Sequence, residues 1–479
     1  MSMVVQHNMQ AANANRMLGI TSGAQAKSTE KLSSGYKINR AADDAAGLTI
    51  SEKMRKQIRG LDKASSNAQD GVSSVQTAEG ALTEVHSMLQ RMNELAVQSA
   101  NGTNSADDRQ AIQDEVDQLT TEIDRVAETT KFNEIYLLKG DNSSTKNVYM
   151  KGHDAGLKGT LTDGAKSATF TMDELQSGDK YTIAGKEYTI GSSKADVANK
   201  ITAPATGAST TVEIDGSSYE IKDTNGNVAI YKDGSATALT KADVGGTGNA
   251  DAGVADLKNL VKDGSTVKID GKTYAAMTDA DGNGVDDDDS SIITKDVAET
   301  KIKAELLTAN NIGTVDQAAT VEDANTANGK TSYTINKGYA TVADTLSFNL
   351  HVGADADMTN KITVDIDTMN SANLGIKGIN VKDASGTEAT YAIDAIADAV
   401  AKVSSQRSAL GAVQNRLEHT IDNLDNISEN TSSAESRIRD TDMAKEMVNY
   451  SKNNILAQAG QSMLAQANQS NQGVLSLLQ

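Results

Sequence analysis

Residues 54–95 read MRKQIRGLDKASSNAQDGVSSVQTAEGALTEVHSMLQRMNEL and contain no proline. Apolar residues recur in this stretch at steps of mostly three, four or seven: Met54, Ile58, Leu61, Ala68, Val72, Val75, Leu82, Val85, Leu89, Met92 and Leu95. Such spacing places one apolar stripe along a helix of roughly fifty residues, whereas helices in globular domains average about eleven or twelve. The stripe predicts a fold built from long helices packed along their length.

Two further segments repeat this helical pattern. A second helix is predicted from Ser105, a good N-cap that follows the turn residues Asn101–Asn104. The pattern resumes near residue 391 and continues almost to the C-terminus, with the apolar positions Met443, Met447, Leu456, Met463, Val474 and Leu477. Neither chain end can bury its stripe alone, so we predict that the two ends cover each other and neighbouring molecules. An ordinary intramolecular bundle is the alternative.

The middle of the chain, residues 131–390, is rich in Gly, Thr, Asp and Ser. Alternating β-formers flank an Ala-Gly or Asp-Gly turn in three similar phrases, which predict hairpins at Tyr181–Tyr188, Val212–Tyr219 and Val267–Tyr274. A short phrase that predicts a helix start follows each, at Lys194, Lys241 and Lys295. The predicted fold class is α+β and multidomain: a long α-helical coiled-coil or bundle core from both chain ends, with a β-rich insert of hairpins and short helices.

Composition narrows the function classes. The 479 residues carry a net charge of -20 and include no cysteine and one proline. Without cysteine, disulfides and thiolate metal sites are impossible. The acidic balance argues against nucleic acid and anionic membranes as partners. The chain has no run of 18 apolar residues, so no membrane-spanning helix is expected.

Motifs that carry chemistry are not found. The sequence has no HExxH, GxSxG, Walker A or GxGxxG pattern, and we predict no enzyme activity and no catalytic, cofactor or metal site. Asp279, Asp281, Asn283 and Gly284 match the first half of a calcium loop, but Ser290 stands where that loop needs a bidentate Glu. A solvated acidic loop is the favoured interpretation, and calcium binding is the alternative.

The residues LSSGYKINRAADDAAGL at positions 32–48 resemble the N-terminal signature of bacterial flagellins. Four other stretches also resemble that family: Gln90–Asn101, Glu122–Val126, Arg437–Ala444 and Val474–Leu478. The matching regions are residues 1–140 and 395–479, in the order that the family has. The resemblance implies a non-enzymatic subunit of the flagellar filament. A hook–filament junction protein, which shares such terminal helices, is the alternative.

The resemblance also implies a domain order. Residues 1–42 and 440–479 would form an inner terminal coiled coil. Residues 43–175 and 390–439 would form an outer helical bundle with a β-hairpin segment. Residues 176–389 would form a variable, surface-exposed β-rich insert of one or two subdomains. Polymerisation into a helical filament is then expected to use the C-terminal apolar positions Met443, Met447, Leu456, Met463, Val474 and Leu477.

Partners and location follow from the same resemblance. It implies an extracellular filament, export through the flagellar type III exporter without a cleaved signal peptide, an export chaperone, a cap protein and hook–filament junction proteins. It also implies recognition by the flagellin-sensing Toll-like receptor of animals. By residue match, that receptor contact maps to Arg91, Leu95 and Glu115.

Overall fold

The computed structural model describes residues 8–476, with side chains from residue 8 to residue 469. Short 3-10 turns lie at Lys241–Val244 and Met358–Asn360. The helices are α1 (Met9–Ser34), α2 (Ala45–Ala100), α3 (Ala106–Thr129), α4 (Lys194–Lys200), α5 (Val254–Lys258), α6 (Lys295–Asn310), α7 (Ser371–Leu374), α8 (Thr387–Arg439) and α9 (Met443–Ser476).

The strands fall between α3 and α7. They are β1 (Lys131–Phe132), β2 (Ile135–Tyr136), β3 (Asp141–Tyr149), β4 (Thr160–Asp163), β5 (Ser167–Asp173), β6 (Lys180–Ile183), β7 (Lys186–Ile190), β8 (Ser209–Ile214), β9 (Ser217–Thr224), β10 (Asn227–Lys232), β11 (Thr266–Ile269), β12 (Lys272–Ala275), β13 (Ile292–Ile293), β14 (Thr320–Val321), β15 (Asn325–Ala327), β16 (Lys330–Asn336), β17 (Tyr339–Asp344), β18 (Leu346–His351) and β19 (Lys361–Ile366). The larger sheets have the orders β10-β9-β8-β11-β12, β13-β7-β6 and β14-β16-β5-β4, with β15 beside β16. The remaining strands form the pairs β1–β2, β3–β17 and β18–β19.

The chain divides into two compact units. The first unit holds the residues up to Gln76, Phe348–Val364 and the residues from Leu410 onward. The second unit holds Thr77–Ser347 and Asp365–Ala409. These bounds come from packing within the chain, whereas the domain order expected from the sequence describes layers of an assembled filament.

In the first unit, two glycines of α2 allow a hairpin to pack closely on that helix. A Cβ on Gly60 would lie 2.9 Å from the Cβ of Ala354, in the loop between β18 and β19. A Cβ on Gly71 would lie 2.3 Å from a methyl group of Leu350 on β18. Glycine is unfavourable within a helix, and close approach of another segment explains its presence at both positions.

In the second unit, α2 buries its apolar stripe, and hydrogen bonds that involve α2, α3 and α8 add to this packing. Leu82, Val85, Leu89, Met92 and Leu95 of α2 are at most 1% exposed, as the periodicity predicted. Hydrogen bonds join Arg407 of α8 to Glu79 of α2 at 2.8 Å and the amide of Gln113 on α3 to the carbonyl of Ile379 at 2.9 Å. Ser105 accepts a bond from the backbone N–H of Asp108, whose carboxylate binds the Ser105 N–H in return. This capping box confirms the predicted start of α3.

The three predicted hairpins are present as β6–β7, β8–β9 and β11–β12. Each turn places two successive residues at positive φ, at Ala184-Gly185, Asp215-Gly216 and Asp270-Gly271. That geometry matches a type I′ turn, which explains the Ala-Gly and Asp-Gly dipeptides. Helical turns begin at all three predicted lysines, although the one at Lys241 is a single 3-10 turn. The second hairpin differs from the others because β10 extends it before that turn.

Two apolar clusters support the β-rich region. One surrounds the fully buried rings of Phe170 and Tyr333, whose centroids lie 6.4 Å apart. The other brings together β8, β9, β10 and β11 through residues that include Val212, Ile221 and Ile230. The predicted α+β class, with long terminal helices and a β-rich insert, is confirmed. α8 begins at Thr387, slightly before residue 391 where the helical pattern resumes, and continues unbroken through the polar residues 428–433.

The environments of two α2 glycines predict opposite effects of the same substitution. Gly60→Ala should destabilise the monomer, because the new methyl group meets the backbone of Ala354 at 3.1 Å as well as its Cβ. Gly80→Ala should stabilise it by about 0.5–1 kcal/mol, because no atom lies within 4 Å and alanine favours the helix. Urea unfolding followed by circular dichroism measures both changes, and a gain in stability for Gly60→Ala would contradict this packing.

Candidate assembly surface

α1 and α9 pack side by side in opposite directions. The Nδ2 of Asn8, the N-cap of α1, donates to the carbonyl of Ala467 late in α9 at 3.1 Å. At the other end, the N–H of Thr441 donates to the carbonyl of Gly35 at 3.0 Å. A Cβ on Gly460 would lie 3.4 Å from Leu18, between these two points. The two chain ends therefore cover each other, as the sequence predicted.

Pairing leaves much of the apolar surface of both helices in solvent. In α1, Ser28 is the residue that reaches full burial. The large apolar side chains that remain exposed, by 48–74%, are Met9, Met17, Ile20, Met443, Met447, Val448, Ile455, Leu456 and Met463. An exposed apolar surface of this extent is typical of a protein–protein interface. We call these nine residues the terminal apolar surface.

Four of the six residues predicted for polymerisation belong to this surface: Met443, Met447, Leu456 and Met463. The side chain of Val474 and the whole of Leu477 lie outside the described residues. Val448 and Ile455 are exposed by 68% and 67% and were missed, because the helical pattern does not reveal which side α1 leaves uncovered. Their contacts with a neighbouring copy stay a prediction.

Short linkers connect this pair to the long helices. Gly35 ends α1 in the left-handed conformation, at φ 77°. The carboxylate of Asp43 then accepts the backbone N–H groups of Asn39 and Arg40, at 3.2 and 3.0 Å. The N–H of Arg40 is the largest cause that lowers the pKa of Asp43. The segment before α2 is thus a turn ordered by its own side chain.

Arg439, the last residue of α8, holds the two linkers together. Its guanidinium lies over the ring of Tyr36, 4.8 Å from the centroid, and binds Glu52 of α2 at 2.8 Å. Its carbonyl accepts the N–H of Lys37 at 2.6 Å. The Arg439 side chain is only 13% exposed, which strengthens cation–π and charge-assisted contacts. We call Tyr36, Glu52 and Arg439 the linker latch.

The latch depends on pH through Glu52. The hydrogen bond from Arg439 is the largest cause that holds the pKa of Glu52 below its usual value. A carboxyl group whose pKa is depressed by folding stabilises the folded state above its ordinary pKa. That contribution is lost as pH falls through the depressed value. The latch is therefore complete at neutral pH and weakens in acid.

The residues matched to the receptor contact are divided between surface and core. Arg91 of α2 binds Glu115 of α3 at 2.8 Å and Glu94 at 3.1 Å, and the Arg91 and Glu115 side chains are about half exposed. Leu95 is only 1% exposed, so its side chain is not available on the surface. Val97, which follows Glu94 by three residues on the same helix, exposes 52% of its area. The surface thus consists of an ion-pair network beside an exposed valine.

In the acidic loop that begins at Asp279, nearby backbone N–H groups donate hydrogen bonds to the carboxylates. Asp279 accepts the N–H groups of Asn283 and Gly284, both at 3.0 Å. Asp286 accepts those of Thr278 and Asp288, both at 2.9 Å. Within residues 8–476, no three His, Cys, Asp or Glu side chains converge to hold a metal ion. This geometry favours the interpretation as a solvated acidic loop.

Comparison with known proteins identifies the helical ends. Residues 5–143 match the profile of the bacterial flagellin N-terminal helical region, and residues 393–478 match that of the C-terminal helical region. A flagellin from Clostridium tyrobutyricum is 39% identical over 473 residues, which are 98% of this chain and 100% of that protein. Flagellin from Halalkalibacterium halodurans is 34% identical, with 99% and 100% covered. Flagellin B from Vibrio anguillarum is also 34% identical, with both chains fully covered.

Solved structures of flagellar proteins are more distant. FliC from Burkholderia pseudomallei is 18% identical, with a TM-score of 0.27, and 72% of this chain and 99% of that chain are covered. The flagellar junction protein FlgL from Legionella pneumophila is 14% identical, with a TM-score of 0.31 and coverage of 81% and 99%.

Substituting Arg439 tests the linker latch. Arg439→Gln removes the group that binds Tyr36 and Glu52, so we expect trypsin to cleave the monomer after Lys37 and Arg40 at least about threefold faster, because local opening becomes easier. Timed digestion followed by mass spectrometry gives these rates. Arg437→Gln changes an exposed arginine of the same helical turn and serves as the control. Equal cleavage rates in the two variants would show that the latch does not order the linker.

Proposed function

This chain belongs to the bacterial flagellin family, whose members form the flagellar filament, and we propose that its terminal apolar surface is the part that joins one copy to the next. The predicted role as a filament subunit is confirmed, because flagellins align with the whole chain at 34–39% identity. The alternative, a hook–filament junction protein, lacks support of that kind. The family is one of structural proteins.

The single observation that carries the proposal is the exposure of large apolar side chains along both paired helices. Fully burying one such side chain contributes roughly 1.5–3 kcal/mol. Association of two proteins costs an estimated 4–15 kcal/mol in lost freedom. Covering several of the nine residues of the terminal apolar surface is therefore enough to offset that cost. The same residues explain why the isolated pair does not form a closed core.

The layers of the filament follow from this proposal. We assign residues 1–42 and 440–479 to the inner coiled coil, since α1 and α9 within these ranges carry the terminal apolar surface. Residues 43–175 and 390–439 form the outer helical layer with its hairpin segment. Residues 176–389 form the insert that faces solvent, which fits its many polar surface residues and the apolar cluster of β8, β9, β10 and β11 that lies wholly within it. The linker latch lies where the inner layer meets the outer layer.

Export and partner proteins extend the proposal. Within the described residues, none of the helices has the length and hydropathy to cross a bilayer. From its membership of the flagellin family, we infer that the subunit leaves the cell through the flagellar exporter. Before assembly, the exposed apolar side of α9 needs a cover, which suits an export chaperone. A cap protein and hook–filament junction proteins are the proposed neighbours at the filament ends. No catalytic role is proposed for the insert.

The receptor proposal is altered by the burial of Leu95. We propose that the flagellin-sensing Toll-like receptor of animals contacts Arg91 and Glu115 directly, while Leu95 supports α2 from within. Val97 adds exposed apolar area beside the ion pairs. Interface hot spots are enriched in arginine, tryptophan and tyrosine. The Arg91 network supplies the arginine, and its half exposure leaves it accessible in the monomer.

Polymerisation should fail when the terminal apolar surface becomes polar. We expect Leu456→Gln and Met463→Gln each to raise the critical concentration for seeded assembly at least about tenfold, since each removes a burial worth roughly 1.5–3 kcal/mol. Sedimentation of filaments and electron microscopy measure the change. Gln461→Ala, at an exposed polar position of the same helix, should assemble like the parent chain. Normal assembly of both polar variants would place the subunit contact elsewhere.

Receptor binding should depend on Arg91 more than on other surface arginines. The Arg91→Ala monomer is expected to bind the receptor ectodomain about tenfold more weakly, the size of a typical hot-spot loss. The variant should unfold like the parent, because exposed ion pairs contribute little to stability. Arg125→Ala breaks a comparable exposed pair with Glu122 on α3 and is the matched control. Unchanged affinity of Arg91→Ala in surface plasmon resonance would refute the mapping.

A further inference from the structure

A small cavity in the second unit contains an unusual lysine. The cavity has a volume of about 240 Å³ and lies beside α8, the end of β3 and the residues that follow α6 and α7. Its walls are mainly apolar, with Met150, Ile312, Leu374 and Ala395 among the lining residues. Lys402 of α8 also lines it. None of these residues belongs to the terminal apolar surface, the linker latch or the Arg91 network.

The Lys402 amine binds an uncharged acceptor. Its Nζ donates to the carbonyl oxygen of Asn373 at 2.7 Å. The carboxylate of Asp398, one helical turn earlier, binds Lys151 at 2.9 Å and lies 3.5 Å from His153. This carboxylate is therefore already paired with Lys151. Lys402 lines the cavity, and among the described residues no carboxylate forms an ion pair with it.

The second carboxylate near Lys402 is occupied as well. Asp367 binds Lys146 at 2.7 Å and the hydroxyl of Thr345 at 2.6 Å. Burial is the largest cause that lowers the pKa of Lys402, and the charges of Lys146 and Lys151 act in the same direction. Asp398 and Asp367 oppose that change without cancelling it. More of the Lys402 amine is consequently neutral, and so nucleophilic, than in a lysine fully in water.

We propose that Lys402 is a covalent capture site for small aldehydes with an apolar body. The amine lone pair attacks the carbonyl carbon, and the carbonyl π electrons move to oxygen. The resulting carbinolamine loses water, so amine and aldehyde give an imine and water without any change in oxidation state. Lysines that form such imines in enzymes typically lie in apolar pockets or beside another cation. Lys402 has both surroundings, with Lys151 as the second cation.

The size of the cavity selects the aldehyde. An apolar protein cavity of about 150 Å³ holds benzene. The cavity beside Lys402, at about 240 Å³, therefore accommodates an aromatic aldehyde of one ring. Its mainly apolar walls favour the ring. Charged sugars and nucleotides are too large and too polar for it.

The test labels the full-length monomer with benzaldehyde at neutral pH and traps the imine with sodium cyanoborohydride. Peptide mass mapping over time gives a separate rate for each lysine. We expect Lys402 to be labelled at least about threefold faster than the exposed Lys382 of the same unit, because a partly buried lysine beside other cations is the better nucleophile. A rate for Lys402 equal to or below that of Lys382 would overturn the proposal.

Two variants distinguish the effect of the cavity on the labelling rate from the general reactivity of a lysine amine. Ala401 lines the cavity but is exposed, so Ala401→Leu should narrow the cavity without disturbing the fold. It should slow labelling of Lys402 at least about threefold and leave Lys382 unchanged. Asp398→Asn removes a carboxylate that favours the protonated amine and should speed labelling of Lys402. An unchanged rate in Ala401→Leu, or a slower rate in Asp398→Asn, would overturn the assignment.

Discussion

The structure depends on burying one apolar stripe that runs along a helix of 56 residues. At a rise of 1.5 Å per residue, that helix is about 84 Å long, far beyond the diameter of a small domain. Its stripe is covered in both units, at Leu61 and Ala68 in the first and at Leu82 and Leu89 in the second. The covering elements must therefore also be long, which explains α8 with its 53 residues. Where helices do not suffice, the β18–β19 hairpin packs on the α2 glycines.

The paired helices at the chain ends, α1 and α9, bury their apolar residues only in part. α1 and α9 cover each other, but methionines, isoleucines and leucines on their outer sides remain in solvent. In the proposed assembly, a second copy supplies the contacts that this incomplete burial leaves unmade. The linker latch, with Arg439 over Tyr36, orders the connection to the long helices. The net charge of -20 favours solubility while the apolar surface is uncovered.

The β-rich insert is stabilised by local turns and by compact apolar clusters rather than by one long apolar stripe. Its hairpins form through local Asp-Gly and Ala-Gly turns, and its two apolar clusters bring together residues near in sequence as well as distant ones. The cluster of β8, β9, β10 and β11 lies wholly within the insert, so that part has a core of its own and can vary without disturbing the stripe of α2. The cluster around Phe170 and Tyr333 also includes Tyr391 of α8. The Lys402 cavity lies where the end of the insert meets α8, and it consists of residues from four separate segments. No single sequence motif could therefore have revealed this cavity.

Residue spacing alone determined the long helices and the hairpins, because periodicity and turn dipeptides act over a few residues. The apolar stripes of the chain ends predicted that these ends need a partner, and the tertiary structure pairs α1 with α9. The start of α3 at Ser105 followed from its capping box in the same way. Only the tertiary structure decided which side of each helix is covered. It buried Leu95 while leaving Arg91 exposed, and it left Val448 and Ile455 uncovered. It also joined Tyr36, Glu52 and Arg439, which lie up to 403 positions apart (439 − 36). Burial and ion pairing between distant residues depend on how helices are rotated and aligned, and one sequence pattern fits several such arrangements.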